Sequence, residues 1–519
     1  MKTAHAIVTM LFLAAGLLYG TAAGQPPPIP AQERPVVLTR GPVHEAFSEP
    51  VILQIQVGLM VSNQPPADID EIPPTHRPRG DNYVWVPGYW SWDGDRDNYI
   101  WVSGCWRAAP PNMSWVPGYW SRETGGWEWV AGFWMPADIQ DLEYLPAPPA
   151  SYDDRPSGRS PSRNDIWVPS CQYWYQDHYV ERPGYWLVAR QDWVWTPSHY
   201  IWTPRGYIFS EGHWDYPLQR RGMLFAPVYF PQSVYYRSGY SYSPSIVIDL
   251  GVLTLHLFTY PRYTHYYFGD YYDDAYLNIG IFPRYEVEQR HTWYDPTYVY
   301  DRWHHRDEPR WEDNQRHEYD LRHADRDLRP PRTYDEMETR QTKDLPAQQR
   351  NDYRMAAPLT VVVASKKTSL KFEHIDTKAQ QKIVTQAAAV HTFRGERNLW
   401  ESTPAPQKTV QSPTEQKGPV MSPGERKGQV TQSGETKTQT VPQREVRITQ
   451  PERVKVPAPP IIGKKTGAMK TPPQPANERK YKGVVKDAPQ KSQPTDTTKT
   501  KGKEKGKEKG KDKSKDKGK

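Results

Sequence analysis

Trp85-Val-Pro-Gly-Tyr-Trp90, Trp101-Val-Ser-Gly-Cys-Trp106, Trp115-Val-Pro-Gly-Tyr-Trp120 and Trp129-Val-Ala-Gly-Phe-Trp134 repeat one pattern, W-x-x-G-x-W, with starts spaced 16, 14 and 14 residues apart. Around the pattern lie β-branched and aromatic runs, Tyr83-Val-Trp-Val86 and Tyr99-Ile-Trp-Val102. Such residues fit a pleated surface. Between copies stand turn-formers, Asp93-Gly94-Asp95, Pro110-Pro111-Asn112 and Thr124-Gly125-Gly126,. Pro or Gly recurs in every copy, which disfavours helix. The expected fold is mainly β: a meander of short, aromatic-rich antiparallel strands in repeats of about 14 residues. The inner glycines Gly88, Gly104, Gly118 and Gly132 read as bulges or positions of positive φ. A bulge at Pro87-Gly88 would put Tyr83, Trp85, Trp90 and Trp92 on one face.

Downstream, a degenerate set keeps the register at 167, 181, 195, 209 and 225 as WVPSCQ, ERPGYW, WTPSHY, FSEGHW and FAPVYF. Cys105 and Cys171 fall at the same repeat position. A disulfide between them and two separate buried thiols are both open readings. The aromatic β-repeat region spans 81–300, with a first set at 83–134, a second at 165–230 and a Tyr-rich part at 231–300. A Pro-rich lead-in covers 25–80, within which Val51–Val61 alternates like a half-buried strand. Ser245–Phe258 is the most aliphatic segment beyond the leader and reads as one or two buried strands around Gly251. Residues 301–400 form a charged, partly helical segment, with breaks at Pro309 and Pro330-Pro331 and a further helix around 379–390.

The N-terminus reads as an export signal over 1–24: Lys2, then an apolar run from Ile7 to Leu18 too short to span a bilayer, then Thr21-Ala22-Ala23,. The expected location is therefore periplasm, cell surface or exterior, with no transmembrane span after cleavage. The chain carries a net charge of +7, and residues 501–519 hold ten Lys against Glu504, Glu508, Asp512 and Asp516. The basic character thus belongs to a Lys/Pro-rich tail over 401–519, expected to be disordered because its composition cannot offset the entropy of ordering.

The four copies resemble the WxxGxW (or YxWGxW) repeat family of secreted bacterial proteins. Pro73-Pro74, Gly80-Asp81-Asn82, Trp214-Asp-Tyr-Pro217 and Phe225-Ala-Pro-Val-Tyr-Phe230 add to the likeness, which covers roughly residues 65–305. Copies from 167 onward depart from the pattern, losing the first Trp at 181, 209 and 225. The resemblance implies a secreted β-repeat protein and brings no reaction, cofactor or catalytic residue with it.

No catalytic, cofactor-binding or metal site is read from the residues: there is no G-x-S-x-G, H-E-x-x-H, P-loop or C-x-x-C pattern,. His304-His305 with Asp301, Asp307 and Glu308 reads as charged, solvated chain rather than a metal site. Asp270, Asp273 and Asp274 read as a turn among tyrosines rather than a calcium loop. The rings are the main constellation, and most are expected to form the core. A subset turned outward, with Trp92, Trp106 and Trp120 as first candidates, would stack on sugar rings. Two functions follow: a non-enzymatic structural or interaction protein of the cell envelope tethered by its basic tail, and alternatively a module binding cell-wall polysaccharide, anionic or neutral. Exposed strand edges also predict self-association. The export signal argues against nucleic acid as partner.

Overall fold

In a computed structural model of the full chain, residues 34–150, 156, 158–340, 347–365, 368–402, 448–462 and 471–478 are described. The export signal and most of the Lys-rich tail lie outside them. Residues up to Pro475 form one unit, and Ala476–Lys519 a second, of which only 476–478 are described.

The repeats fold as four hairpins, each built from two copies of the motif. Hairpin 1 holds β1 (Tyr83–Val86), β2 (Tyr89–Asp93), β3 (Asn98–Val102) and β4 (Cys105–Ala108). β1 pairs with β4, setting Trp85 opposite Trp106, and β2 pairs with β3, setting Trp90 opposite Trp101. Hairpin 2 repeats this with β5 (Met113–Val116), β6 (Tyr119–Glu123), β7 (Gly126–Val130) and β8 (Phe133–Pro136). Hairpin 3 holds β9 (Asp165–Val168), β10 (Cys171–Tyr175), β11 (His178–Arg182) and β12 (Tyr185–Val188). Hairpin 4 holds β13 (Val194–Thr196), β14 (His199–Trp202), β15 (Tyr207–Ser210) and β16 (His213–Asp215).

The expected bulge is absent. Pro87-Gly88 and Ser103-Gly104 stand unpaired between the two ladders, the same number on each strand, so the register passes through with no inserted residue. Side-chain parity is therefore kept, and the rings of one hairpin divide between two cores. Trp85 and Trp106 pack with Met223, Phe225 and Val247, whereas Trp90 and Trp101 join the largest aromatic core with Tyr263, Tyr267 and Tyr271. The meander is corrected too. Among the described residues the sheets have two to four strands, and the first repeat set pairs with the second only at the end of the latter, where Cys105–Arg107 lies against Gly222–Leu224 and Trp101 opposite Val228.

Elsewhere local chemistry overrides the aliphatic pattern. Only Val51–Ile52 and Met60–Val61 of the Val51–Val61 run are strands. Within Ser245–Phe258, Leu250–Leu255 is helical, because the Asp249 carboxylate accepts from the amides of Gly251 and Val252 and caps the turn,. In the charged segment, α1 (Pro296–His304) starts on Asp295, whose side chain accepts from Tyr298 N, with Pro296 at the first helical position,. The chain breaks at Pro309 before α2 (Trp311–Ala324), as its proline predicts. A longer helix, α3 (Thr377–Ser402), exceeds the stretch read from sequence.

The tail is corrected in part. Glu452–Lys455 pairs with Asp141–Tyr144, and Ile461–Ile462 pairs with Ser114–Trp115 of β5. The rest of 401–519 mostly lies outside the described residues.

Candidate functional site

The motif residues meet at the point where each hairpin crosses from one ladder to the next. The first Trp of one copy lays its indole edge on the Gly of the other. A Cβ placed on Gly104 would lie 2.5 Å from Cζ2 of Trp85, and one on Gly132 would lie 2.5 Å from Cζ2 of Trp115. Gly118 stands in the same relation to Trp129, Gly184 to Trp167 and Gly212 to Trp195. The second Trp then meets the first Trp of its partner copy edge to face, with centroids 5.3 Å apart for Trp90–Trp101 and 5.5 Å for Trp120–Trp129,. The spacing W-x-x-G-x-W is thus a steric requirement, met twice in hairpins 1 and 2 and once in hairpins 3 and 4, where Ser170 and Ser198 replace a glycine.

Releasing the glycine amides from the ladder leaves buried donors that need acceptors. Glu71 answers this in hairpin 1. Its carboxylate accepts from Gly88 N (2.8 Å), Gly104 N (2.9 Å) and Trp101 Nε1 (3.0 Å). In hairpin 2, Glu45 accepts from Gly118 N (2.9 Å), Gly132 N (3.0 Å) and Trp129 Nε1 (3.2 Å). Burial pushes both carboxyls up from their ordinary range, against the pull of these donors,. In hairpin 4 the motif supplies its own acceptor: Ser198 replaces the glycine, and its Oγ accepts from Gly212 N at 2.9 Å.

The freed carbonyls need donors in turn. Arg397 of α3 donates to Pro117 O (2.8 Å) and Ala131 O (3.0 Å) while pairing with Glu401, and both side chains are fully buried. Arg182 donates to Pro169 O and Pro183 O, both at 3.1 Å, in hairpin 3. His199 and His213 serve Pro197 O and Glu211 O in hairpin 4. The four crossings are one device with interchangeable partners.

The residues singled out from sequence divide accordingly. Trp106 is 1% exposed and Trp120 7%, so neither is an outward stacking platform. Trp92 is half-buried and packs edge to face on Tyr99 at 5.1 Å. Cys105 and Cys171 are separate buried thiols rather than a disulfide. They lie in different hairpins, with Cys105 opposite Val86 and Leu224 and Cys171 opposite Arg182. Burial pushes the Cys105 thiol up, away from reactivity,. Among the described residues no group of three or more His, Cys, Asp or Glu is placed to hold a metal ion. Asp301 pairs with Arg284, Asp307 with Arg163 and His305 with Glu308. Asp270 and Asp273 are held by Arg329 and Arg332, which sequence reading missed because the partners lie far along the chain.

A different place gathers side chains that the core does not absorb. Between hairpin 3 and the α1–α2 segment lies a cleft of about 850 Å³. Trp167 and Trp186, 5.3 Å apart and edge to face, form one wall. Trp311, stacked on His305 at 5.2 Å, and Trp303, with the Arg306 guanidinium 4.6 Å from its ring centroid, form the other. Trp293 and Tyr294 lie deeper. α1 is held in place by Tyr300 and Trp303 packing on Val194 and Ile166. The indole Nε1 atoms of Trp293 and Trp303 and the hydroxyl of Tyr294 are buried with no hydrogen-bond partner.

The crossings define a class, an aromatic β-hairpin repeat protein in which Trp and Gly interlock two by two. The sequence pattern described as "WXXGXW repeat (2 copies)" matches residues 80–107, 111–135 and 190–216, so these segments are repeats of the WXXGXW family. The matched segments correspond to hairpins 1, 2 and 4. Hairpin 3 carries the same register with Ser170, Gln172 and Glu181 in place of Gly, Trp and Trp. No curated protein and no solved structure matches the chain.

Proposed function

We propose that this chain is a non-enzymatic, exported structural and interaction protein of the bacterial cell envelope. The observation that carries this reading is the crossing device: all eight motif tryptophans of the first repeat set are buried, and the crossings they form are bonded to Glu45 and Glu71. Such a body is stiff, and its aromatic wealth serves architecture. The apolar run at Ile7–Leu18 supplies the route out of the cytoplasm. The lysines of 501–519 supply attraction to anionic surfaces, which salt would weaken. Among the described residues no helix is long and apolar enough to cross a membrane.

The test is made in the cell. Envelope fractions are expected to hold a chain whose N-terminus lies near Gly24, and crosslinking is expected to trap it in high-mass assemblies with envelope components or with itself. Recovery of the uncleaved chain from the cytosol would overturn the reading. The second reading, binding of polysaccharide, is favoured by the cleft rather than by the indoles first considered for it.

A further inference from the structure

We propose that the cleft between hairpin 3 and the α1–α2 segment binds a short, uncharged oligosaccharide. This deepens the polysaccharide-binding reading and does not depend on where the protein resides.

The argument begins with size and walls. At about 850 Å³ the cleft lies toward the upper end of the range of roughly 300–1,000 Å³ for small-molecule sites,. That suits a few linked rings better than one. Trp167, Trp186 and Trp311 are only partly buried, so indole surface is left facing the cleft. Sugar rings present apolar C–H faces that cover such surface and a rim of hydroxyls that stays polar.

Charge then narrows the ligand. Three arginines, Arg163, Arg302 and Arg306, line the cleft against four carboxylates, Asp165, Glu308, Glu312 and Asp313. The balance is one negative charge, close to neutral. Most of these groups already have partners. Arg302 Nε lies 2.6 Å from Glu312, and His305 Nδ1 lies 2.8 Å from Glu308. Arg306 donates to Trp303 O at 3.0 Å. A polyanion would meet no surplus of positive charge here, and a polycation no large surplus of negative charge.

Hydrogen-bonding capacity decides between the remaining uncharged candidates. The site offers donors in the guanidinium groups of Arg163 and Arg302, which line the cleft and are at least half exposed. It offers acceptors in its carboxylates. A ligand group that both donates and accepts satisfies both sets, and a sugar hydroxyl does so. A proline-rich peptide, which also docks on aromatic grooves, presents carbonyl acceptors and few donors. The carboxylates would lose water to it without replacement, at a cost.

The experiment is isothermal titration calorimetry of the full chain. The probes are a neutral hexamer of β-1,4-linked N-acetylglucosamine, a neutral hexamer of β-1,4-linked glucose, a hexamer of galacturonic acid and a polyproline peptide. At least one neutral hexamer is expected to bind saturably, with affinity changed by less than about threefold between low and high salt. Trp186→Ala is expected to weaken it at least about tenfold, while Trp92→Ala, outside the cleft, leaves it unchanged. Should Trp186→Ala fail to fold, Arg302→Gln, on a half-exposed side chain, is expected to weaken the same binding about threefold or more. No binding of either neutral hexamer to the folded chain would overturn the proposal. So would preference for the polyuronate or polyproline, or neutral binding indifferent to Trp186 and Arg302. None of these results bears on the envelope location, which fractionation tests separately.

Discussion

At the scale of single residues, the most consequential groups are two buried glutamates outside the motif. Glu71 is the acceptor for three buried N–H groups, and an orphaned buried donor costs about 1–3 kcal/mol,. Glu71→Ala is therefore expected to destabilise the chain by about 3 kcal/mol or more. Glu71→Gln restores the volume but turns an amide NH₂ toward one of the donors, so it recovers only part of the loss. Urea unfolding would measure both, and a change below about 0.5 kcal/mol in each would refute the role given to this carboxylate. A second residue reports on pH. Burial holds the His256 imidazole neutral, down to about 3 from an ordinary 6.5, while it bonds to Tyr272 OH (2.7 Å) and Asp352 O (3.1 Å). Below pH 6.5 the unfolded chain takes up a proton that the folded chain refuses. The stability His256 contributes is thus complete above pH 6.5 and declines as pH falls toward 3. Compared with His256→Gln, the wild-type advantage is expected to shrink by about 2 kcal/mol between pH 7 and pH 5. An advantage that stays constant over that range would show that His256 is not held neutral.

At the scale of elements, the hairpin crossing explains both what the sequence revealed and what it concealed. The Trp–Gly–Trp spacing was legible because one steric fact, an indole edge on a glycine, recurs in all four hairpins. The absence of a bulge was not legible, because the acceptors that release Gly88 and Gly118 from the ladder sit 17 and 73 positions away. The helix at Leu250–Leu255 left a usable trace, an Asp before an apolar stretch with leucines at 250 and 253, which the aliphatic run outweighed,. The cleft left none, since its walls come from residues more than 100 positions apart. The interlock itself makes a sharp prediction. Gly104 has backbone, carboxylate and indole atoms within 2.7 Å of an added Cβ, whereas Gly94 has nothing within 4 Å. Gly104→Ala is expected to cost about 3 kcal/mol through forced repacking, and Gly94→Ala under about 0.5 kcal/mol. Equal melting temperatures for the two variants would mean that the glycines are kept for backbone freedom and not for the indole.

At the scale of the whole molecule, the chain after Ser402 takes part in the fold. Composition hid this, since Pro, Lys, Thr and Gln dominate the region. Yet Val454, Val456, Ile461 and Ile462 form an aliphatic cluster within it. Ile461 is fully buried beside Trp115 and Trp134, and Val454 packs against the large aromatic core. Glu452 pairs with Arg205, which also donates to Trp400 O at 2.6 Å, so this strand ties hairpin 4 to the end of α3. The segment covers the outer edges of β5 and of Asp141–Leu145, edges that would otherwise offer unpaired amides to another chain,. Removing residues 448–519 is expected to leave a folded body with two open edges. Hydrogen exchange should then speed up at Met113–Val116 and Asp141–Leu145 while Cys105–Ala108, buried and paired on both sides with Tyr83–Val86 and Gly222–Leu224, keeps its protection,. The same truncation should raise the tendency to self-associate, read by light scattering at rising concentration. If exchange at both edges stayed as slow as in the full chain and no association followed, the segment would be an appendage lying on the surface, not a strand closing the fold.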